Sequence, residues 1–269
     1  TLHVLDGLRE RARALAMRLE VRAMAEPFGA TFRPDDEAAG YLLLTPESDA
    51  QIAAAADQGR PVILINADDP MMRLSSVAPC NRTAAALATD RLLALGHRSI
   101  LFLTRPGRRT IERRREGWAG RLAEAGLAAD LVEEVADWRP ALAAAAIRAR
   151  LARGPRDFTA VLAAGDSLAI GALIALAEAG VAVPGQVSVM GFDGLPQCDL
   201  QSPPLSAVEI PLRATGGAAL DLLRDALTLP GAPPRGGGTA PTGGAPGPAA
   251  PPQGQTRPRP FRNPAPLPL

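Results

Sequence analysis

From residue 41 onward, one pattern of hydrophobic and polar positions repeats along the chain. A short apolar run is followed by a polar turn, an amphipathic segment and a glycine. The apolar runs are YLLLT (41–45), PVILIN (61–66), SILFLT (99–104), FTAVLAA (158–164) and QVSVMGF (186–192). Because these runs are continuous rather than alternating, they are typical of strands buried on both faces of a parallel sheet. Strands that alternate with helices predict an α/β fold with helices on both faces of the sheet.

The amphipathic segments between these runs predict the helices. Several end at a glycine, which suits the left-handed residue that closes a helix. The predicted helices span residues 47–58, 81–95, 111–125, 139–153, 166–179 and 211–228. Before Tyr41 the pattern is weaker: residues 2–19 indicate a helix, residues 20–24 a possible strand, and we predict no strand ahead of that helix.

The composition changes abruptly after Leu229. Residues 230–269 contain 13 prolines and 8 glycines, too little apolar side chain to offset the entropy of ordering the segment. We therefore predict that residues 230–269 are disordered. A proline-rich ligand for an aromatic groove is one interpretation of this tail, and a linker or simple terminus, which we favour, is the other.

Composition and charge exclude several classes of protein. The chain has 269 residues, 47% of them hydrophobic, so its body is globular rather than disordered. All 29 basic residues are arginine and 28 residues are acidic; since four arginines and no acid lie after Leu229, the body has a net charge of −3 and is a poor DNA binder by itself. Two cysteines that fit neither a disulfide framework nor a metal site favour a cytoplasmic protein, and the lack of a membrane-length apolar run favours one without membrane contact.

The tetrapeptide Gly165-Asp166-Ser167-Leu168 matches the signature of a serine esterase family. That chemistry needs a histidine base, usually near the end of the chain, but the only histidines, His3 and His97, lie upstream. We interpret Asp166 instead as a cap for the helix that follows. No phosphate-binding loop, dinucleotide-binding loop or metal-spaced histidine pair is present, so we predict no catalytic residues, no cofactor and no metal.

Polar and aromatic residues lie where the predicted strands end. Asp193 and Asp166 each follow a strand, Trp138 ends the segment 130–138, and Arg114 opens a helix after SILFLT. Ligands of open parallel sheets bind at the carboxyl ends of the strands. A carboxylate, a guanidinium group and an indole ring suit a small polyhydroxyl or heterocyclic ligand. Structural roles remain open: a core position for Trp138, a solvated helix face for Arg114 and a turn for Asp193.

Two pairs of segments resemble a known family. They are AVLAAGDSLAIGALIALAEAGVAVPGQVSVMGFDG (160–194) with PPLSAVEIPLRATGGAALDLL (203–223), and NRTAAALATDRLLALGHRSILFLT (81–104) with RRREGW (113–118). Over residues 41–229 the chain resembles the effector-binding domain of LacI/GalR-type transcriptional regulators.

This resemblance implies two doubly wound parallel-sheet subdomains of the periplasmic-binding-protein-like type I, incomplete at both ends. The implied boundaries are 1–104 plus 210–229 for the N-terminal subdomain, which lacks its first strand, and 105–209 for the C-terminal subdomain. Effector-binding roles carry over to Asp193, Arg114 and Trp138. Arg108 and Thr110 match polar contacts of purine-responsive members, while Gly165 replaces an asparagine of sugar-responsive members.

The implied function is sensing of a small sugar-like or nucleobase-like effector by a homodimeric regulator, acting most simply as a repressor. Operator DNA would be bound through an N-terminal headpiece that this sequence lacks. The alternative is a solute-binding protein of an ABC sugar importer, which has the same fold. An enzyme is disfavoured because base, metal and phosphate loop are all missing from the sequence.

Overall fold

The computed structural model describes residues 2–22, 37–57, 59–229 and 231–240. Its helices are α1 (Leu2–Ala14), α2 (Asp49–Ala56), α3 (Asn81–Ala94), α4 (Arg109–Glu124), α5 (Pro140–Ala152), α6 (Asp166–Glu178) and α7 (Leu212–Thr228). Its strands are β1 (Tyr41–Leu44), β2 (Val62–Ile65), β3 (Ser75–Pro79), β4 (Ile100–Thr104), β5 (Val132–Glu134), β6 (Ala160–Ala163), β7 (Ser188–Asp193), β8 (Ser206–Glu209) and β9 (Gly236–Thr239). A short 3₁₀ helix spans Pro196–Cys198.

The strands form two separate parallel sheets. One has the order β1-β2-β3-β9 and the other the order β5-β4-β6-β7-β8. We call the described parts of residues 2–79 and 212–239, which surround the first sheet, the first half. We call residues 81–209, which surround the other sheet, the second half. The predicted α/β class with two parallel-sheet units is therefore confirmed.

Both sheets are covered by helices on both faces. In the first half, α1 and α7 share one core with the sheet, represented by Leu8, Ile63 and Leu220, and α2 covers the other face through Ile52. In the second half, α3 and α4 pack on one face of the sheet, and α5 and α6 pack on the other. This burial on both faces explains why the strands read as continuous apolar runs.

Each of the five predicted strands is present, but four further strands, β3, β5, β8 and β9, were not predicted. β3 (SSVAP) and β8 (SAVE) contain several polar residues, which hide them from a search for apolar runs. β5 (VEE) has only three residues and lies at the edge of its sheet, so it also lacks a continuous apolar run. α1 ends at Ala14, earlier than predicted. Residues 20–22 form no strand, and the rest of that possible strand lies outside the described residues.

The prediction of disorder for the tail is wrong at its start. Gly236–Thr239 forms β9, which pairs in parallel with Ser76–Pro79 of β3. Thr239 Oγ1 lies 3.1 Å from Thr215 Oγ1 of α7, which ties the strand to the first half. Backbone pairing does not depend on side chains, and composition therefore did not reveal it. Residues 241–269 lie outside the described part of the chain.

The chain changes sheet earlier than the sequence suggested. The first crossing between subdomains was predicted near Thr104, but β4, which ends at Thr104, belongs to the second sheet. Ala88 and Leu92 of α3 pack in the same core as Phe102 of β4. We propose that the first crossing falls near Cys80, between β3 and α3, with the return crossing near Ile210 as predicted.

Three helix pairs approach each other closely at a glycine. Gly117 of α4 faces the carbonyl of Arg82 in α3, Gly171 of α6 faces the carbonyl of Pro140 in α5, and Gly216 of α7 faces α1. At each site an added Cβ would come closer than 3.0 Å to a backbone atom of the partner helix. Glycine therefore allows helix backbones to approach to a distance that any side chain would prevent.

Candidate functional site

The candidate site is a cleft between the two halves, at the carboxyl ends of their strands. The first half contributes the loops that follow β1 and β2. The second half contributes the segments that follow β4, β6 and β7, together with the start of α4. Parallel strands present loops and helix amino termini at this edge, where backbone donors are available for a ligand.

Arg114 is the centre of a buried hydrogen-bond network in this cleft. Its side chain is 5% exposed. Nε donates to Asn81 Oδ1 at 2.8 Å, Nη1 donates to the carbonyl of Ala164 at 2.5 Å, and Nη2 donates to Asp193 Oδ1 at 3.1 Å. The guanidinium carbon also lies 3.8 Å from the ring centre of Phe192. Arg114 therefore joins the starts or ends of three elements, α3, β6 and β7.

Asp193 is the last residue of β7 and points one carboxylate oxygen at Arg114. Its φ of 113° is a conformation that L residues rarely adopt, and its side chain is 30% exposed. Burial raises the pKa of Asp193, and the charge and hydrogen bond of Arg114 oppose that rise. A strained, half-buried carboxylate held by a buried guanidinium group is a preorganised hydrogen-bond acceptor.

Asp166 lies beside this network but does not cap a helix, so the capping prediction is wrong. The N-cap of α6 is Gly165, and Asp166 Oδ2 instead accepts a hydrogen bond of 2.8 Å from the backbone N–H of Leu195. Asp166 is 1% exposed and its Oδ1 has no partner among the described residues. Burial raises the pKa of Asp166 to about 7.

This raised pKa predicts a pH dependence of stability. The folded chain holds the Asp166 proton up to a pH of about 7, whereas the unfolded chain releases it near the ordinary value of 3.8. The free energy of unfolding should therefore fall as the pH rises through this window. Relative to Asp166→Asn, we expect the parent to lose about 2 kcal/mol between about pH 5 and about pH 7.

Urea unfolding of both proteins across this pH range measures the difference. The control is Asp199→Asn, the same change at an exposed carboxylate, which should keep the pH dependence of the parent. Parallel stability curves for the parent and Asp166→Asn would contradict the prediction.

Trp138 forms an aromatic wall of the cleft. An added Cβ at Gly165 would lie 3.1 Å from the Trp138 ring, so the absence of a side chain at Gly165 lets the ring pack against the backbone. The guanidinium carbon of Arg108 lies 5.8 Å from the ring centre, within the range of a cation–π contact. Trp138 Nε1 is buried and has no partner among the described residues.

Ion pairs cross the cleft from one half to the other. Glu47, which follows β1, accepts hydrogen bonds from Arg105 Nη1 at 2.9 Å and from Arg108 Nε at 2.7 Å. Burial alone would raise the pKa of Glu47, but the hydrogen bonds and charges of Arg108 and Arg105 outweigh it and lower that pKa. Asp68, which follows β2, pairs with Arg109 at 3.4 Å and with Arg113 at 3.3 Å.

A small cavity of about 20 Å³, room for about one water molecule, lies between the starts of α2 and α4. Its lining includes Arg108 and Thr110, which the sequence singled out, and Glu47 and Asn66, which it did not. Asn66 ends the predicted strand PVILIN, and that position could have marked it. The cavity thus lies where the first half meets the start of α4.

The structure brings the six predicted residues into one contiguous region. Asp193, Arg114 and Asp166 form its buried side, Trp138 its wall, and Arg108 and Thr110 its side toward the first half. Their part in binding stays a prediction. Sequence reasoning missed Asn81, which is 4% exposed and holds Arg114, because the strand that precedes Asn81 was itself not recognised.

Buried polar atoms without partners concentrate at the same strand ends. Within the described residues there are six such side-chain atoms, and only Trp118 Nε1 lies away from the cleft. The other five are Asn66 Oδ1, Thr104 Oγ1, Arg109 Nε, Trp138 Nε1 and Asp166 Oδ1. Because a buried polar group without a partner is costly, hydrogen bonds to these atoms would contribute most to the binding free energy of a polar ligand.

The esterase-like tetrapeptide is not part of a catalytic arrangement. Ser167 follows the carboxyl end of β6, whereas His97 contacts Thr159 Oγ1 at 3.0 Å and Ser188 Oγ at 2.9 Å near the amino ends of β6 and β7. Over the residues that the structure describes, no cluster of three or more metal-binding side chains occurs, and none of the helices has the length and hydrophobicity to span a bilayer.

Comparison with known proteins agrees with the family resemblance found in the sequence. The family described as "Periplasmic binding protein-like domain" matches residues 89–242, which is more than half of the chain. GalR of Escherichia coli is 35% identical over 187 residues, covering 68% of this chain and 54% of GalR. MalR of Streptomyces coelicolor is 34% identical over 173 residues, covering 63% of this chain and 50% of MalR. The chain thus spans about half the length of these curated relatives.

Solved structures extend the match to nearly the whole chain. A LacI family transcriptional regulator from Mycobacterium smegmatis is 27% identical with a TM-score of 0.80, covering 93% of this chain and 95% of that one. A complex of the transcriptional regulator CelR with cellobiose is 25% identical with a TM-score of 0.80, covering 90% of this chain and 76% of CelR. The chain belongs to the family of periplasmic binding protein-like domains, and it is similar to the corresponding part of LacI/GalR-type transcriptional regulators.

Proposed function

We propose that this domain binds a small sugar-like or nucleobase-like effector in the cleft between its halves and thereby controls a DNA-binding repressor. The observation that carries the proposal is the group of unpartnered, buried polar atoms around Trp138 and Asp166. The partly exposed carboxylate of Asp193 supplies an acceptor for hydroxyl or ring N–H groups, and the indole ring supplies a flat apolar face.

A sugar is the class that we test first. CelR, which has the same fold at 25% identity, is described as a cellobiose complex. A ring with apolar C–H faces and a rim of hydroxyls could stack on Trp138 while its hydroxyls reach Asp193. Arg108, which would favour a nucleobase, is already engaged by Glu47.

The regulator would act in the cytoplasm as a homodimer that binds operator DNA. This part of the proposal rests on relatives such as GalR and MalR, which are transcriptional regulators. An effector that prefers one arrangement of the two halves shifts the balance between arrangements, and linkage makes that shift change DNA affinity. The same relatives give the alternative of an importer component no support.

The test is calorimetric titration of a ligand panel. Cellobiose, maltose and galactose represent sugars, and guanine and hypoxanthine represent nucleobases. For a ligand that binds the parent, Asp193→Asn should weaken affinity by at least about tenfold, since it replaces a charge-assisted hydrogen bond in a buried site by a neutral one.

The control variant is Asp130→Asn, the same change at an exposed position outside the cleft, which should leave the affinity unchanged. Equal affinities of the parent and Asp193→Asn would remove Asp193 from the site. A panel in which no sugar and no nucleobase binds would refute the proposed ligand class.

A further inference from the structure

The ion pairs across the cleft are concentrated at one place. Within the described residues, five pairs join the two halves, and every arginine in them comes from α4 or the loop before it. The acids come from the loop after β1, the start of α2 and the loop after β2. The five pairs are Arg105–Glu47, Arg108–Glu47, Arg109–Asp49, Arg109–Asp68 and Arg113–Asp68.

Apolar contacts between the halves lie elsewhere. Ile210, at the return crossing, packs with Ala84, Ala85 and Phe192 of the second half and with Leu212 of α7. The two halves are therefore joined covalently and by apolar packing beside the crossings, and by charge at the cavity. Rotation about the crossings would separate the charged contacts and leave the apolar contacts largely in place.

Arg108 links these ion pairs to the proposed ligand wall. Its guanidinium group is held by Glu47 and lies over the ring of Trp138. This planar cation, 5.8 Å from the ring centre, lies on the side of the indole where a ligand ring would stack. An incoming effector must share that face with Arg108 or displace Arg108 from it.

We infer that Glu47, with Arg105 and Arg108, is a latch that holds the cleft closed over Trp138. The latch holds the halves together by charge and places Arg108 on the indole. The latch would regulate the proposed effector site. Only the statement that this cleft binds an effector rests on the proposed function. Salt should open the latch, because the arginines and Glu47 are partly exposed and their attraction is screened.

Tryptophan fluorescence reports the state of the latch without any ligand. The chain has two tryptophans; Trp118 is fully buried in the second half, whereas Trp138 is partly buried at the cleft. Quenching by neutral acrylamide therefore measures access to Trp138. We expect the quenching constant of the parent to rise about twofold as NaCl is raised toward about 1 M, where the screening length is only about 3 Å.

Glu47→Gln should raise the quenching constant at low salt and reduce its further rise on adding salt, since three of the five pairs across the cleft remain. Two lost pairs of ordinary surface strength would shift the ratio of open to closed domains by about two- to tenfold. Arg105→Gln, which removes one of the two pairs, should give an intermediate constant. The matched control is Glu178→Gln, which breaks the exposed Arg148–Glu178 pair within the second half and should behave as the parent.

Circular dichroism and thermal unfolding establish that each variant is folded. The latch is refuted if folded Glu47→Gln and Arg105→Gln both give the quenching constant and salt dependence of the parent. Because no effector is present, this outcome is separate from the ligand panel. The quenching experiment can support the latch even if no sugar binds, and the ligand panel can support a sugar ligand even if the latch is refuted.

Discussion

Arg114→Met should destabilise the domain by about 3–5 kcal/mol, the cost of removing one partner from a buried ionic network. Methionine retains the apolar stem but none of the donors. Asn81 Oδ1 and the carbonyl of Ala164 lose the N–H groups from which they accept hydrogen bonds, and Asp193 loses its counter-charge. Urea unfolding followed by circular dichroism measures the loss.

The control for this experiment is the next residue along the chain. Arg115 pairs with Glu134 at 3.4 Å, and both side chains are more than 40% exposed. Arg115→Met should therefore change the stability by no more than about 0.5 kcal/mol. If the two variants lose similar amounts, the network around Arg114 is not a stabilising feature of the fold.

Gly117→Ala should destabilise the domain by about 2–3 kcal/mol, although alanine is the better helix former. The helix propensity of alanine favours the variant by about 1 kcal/mol. The added methyl group, however, would collide with the carbonyl of Arg82 and the amide nitrogen of Ala86 in α3. Backbone atoms cannot move aside as a flexible side chain can, so α3 and α4 must separate, and such overpacking is costly.

Gly120 on the same helix provides the matched control, since an added Cβ there meets nothing within 4 Å. Gly120→Ala should stabilise the domain by about 0.5–1 kcal/mol through helix propensity and the unfolded chain. Thermal and urea unfolding show whether each variant raises or lowers the free energy of unfolding. A stabilising Gly117→Ala would show that the close contact of α3 and α4 is not required.

The hydrophobic pattern predicted the second half better than the first. Buried strands such as SILFLT and FTAVLAA can be recognised from the sequence because both of their faces need apolar residues. β9 has three glycines and one threonine, so it pairs with β3 through its backbone. No side-chain pattern encodes such a strand, and a composition argument assigns the segment to disorder.

The candidate site was predictable where one residue followed a recognised strand. Asp193 and Asp166 were found in this way, and Arg114 and Trp138 were supported by the family resemblance. Asn81 was missed because its strand was missed. The partners of Glu47 could not be predicted, since Arg105 and Arg108 lie about sixty positions away in the sequence and only the folded arrangement of the halves brings them together.

The way in which the chain passes between the two sheets also orders its folding during synthesis. Residues 81–209 are continuous, so the second half has all its strands once β8 has left the ribosome. The first half is complete only when α7 and β9 arrive: Arg11 of α1 bonds Asp221 of α7, 210 positions away, and β3 pairs with β9. Contacts of such separation form late. A ribosome that pauses before α7 would therefore hold a folded second half beside an unfinished first one.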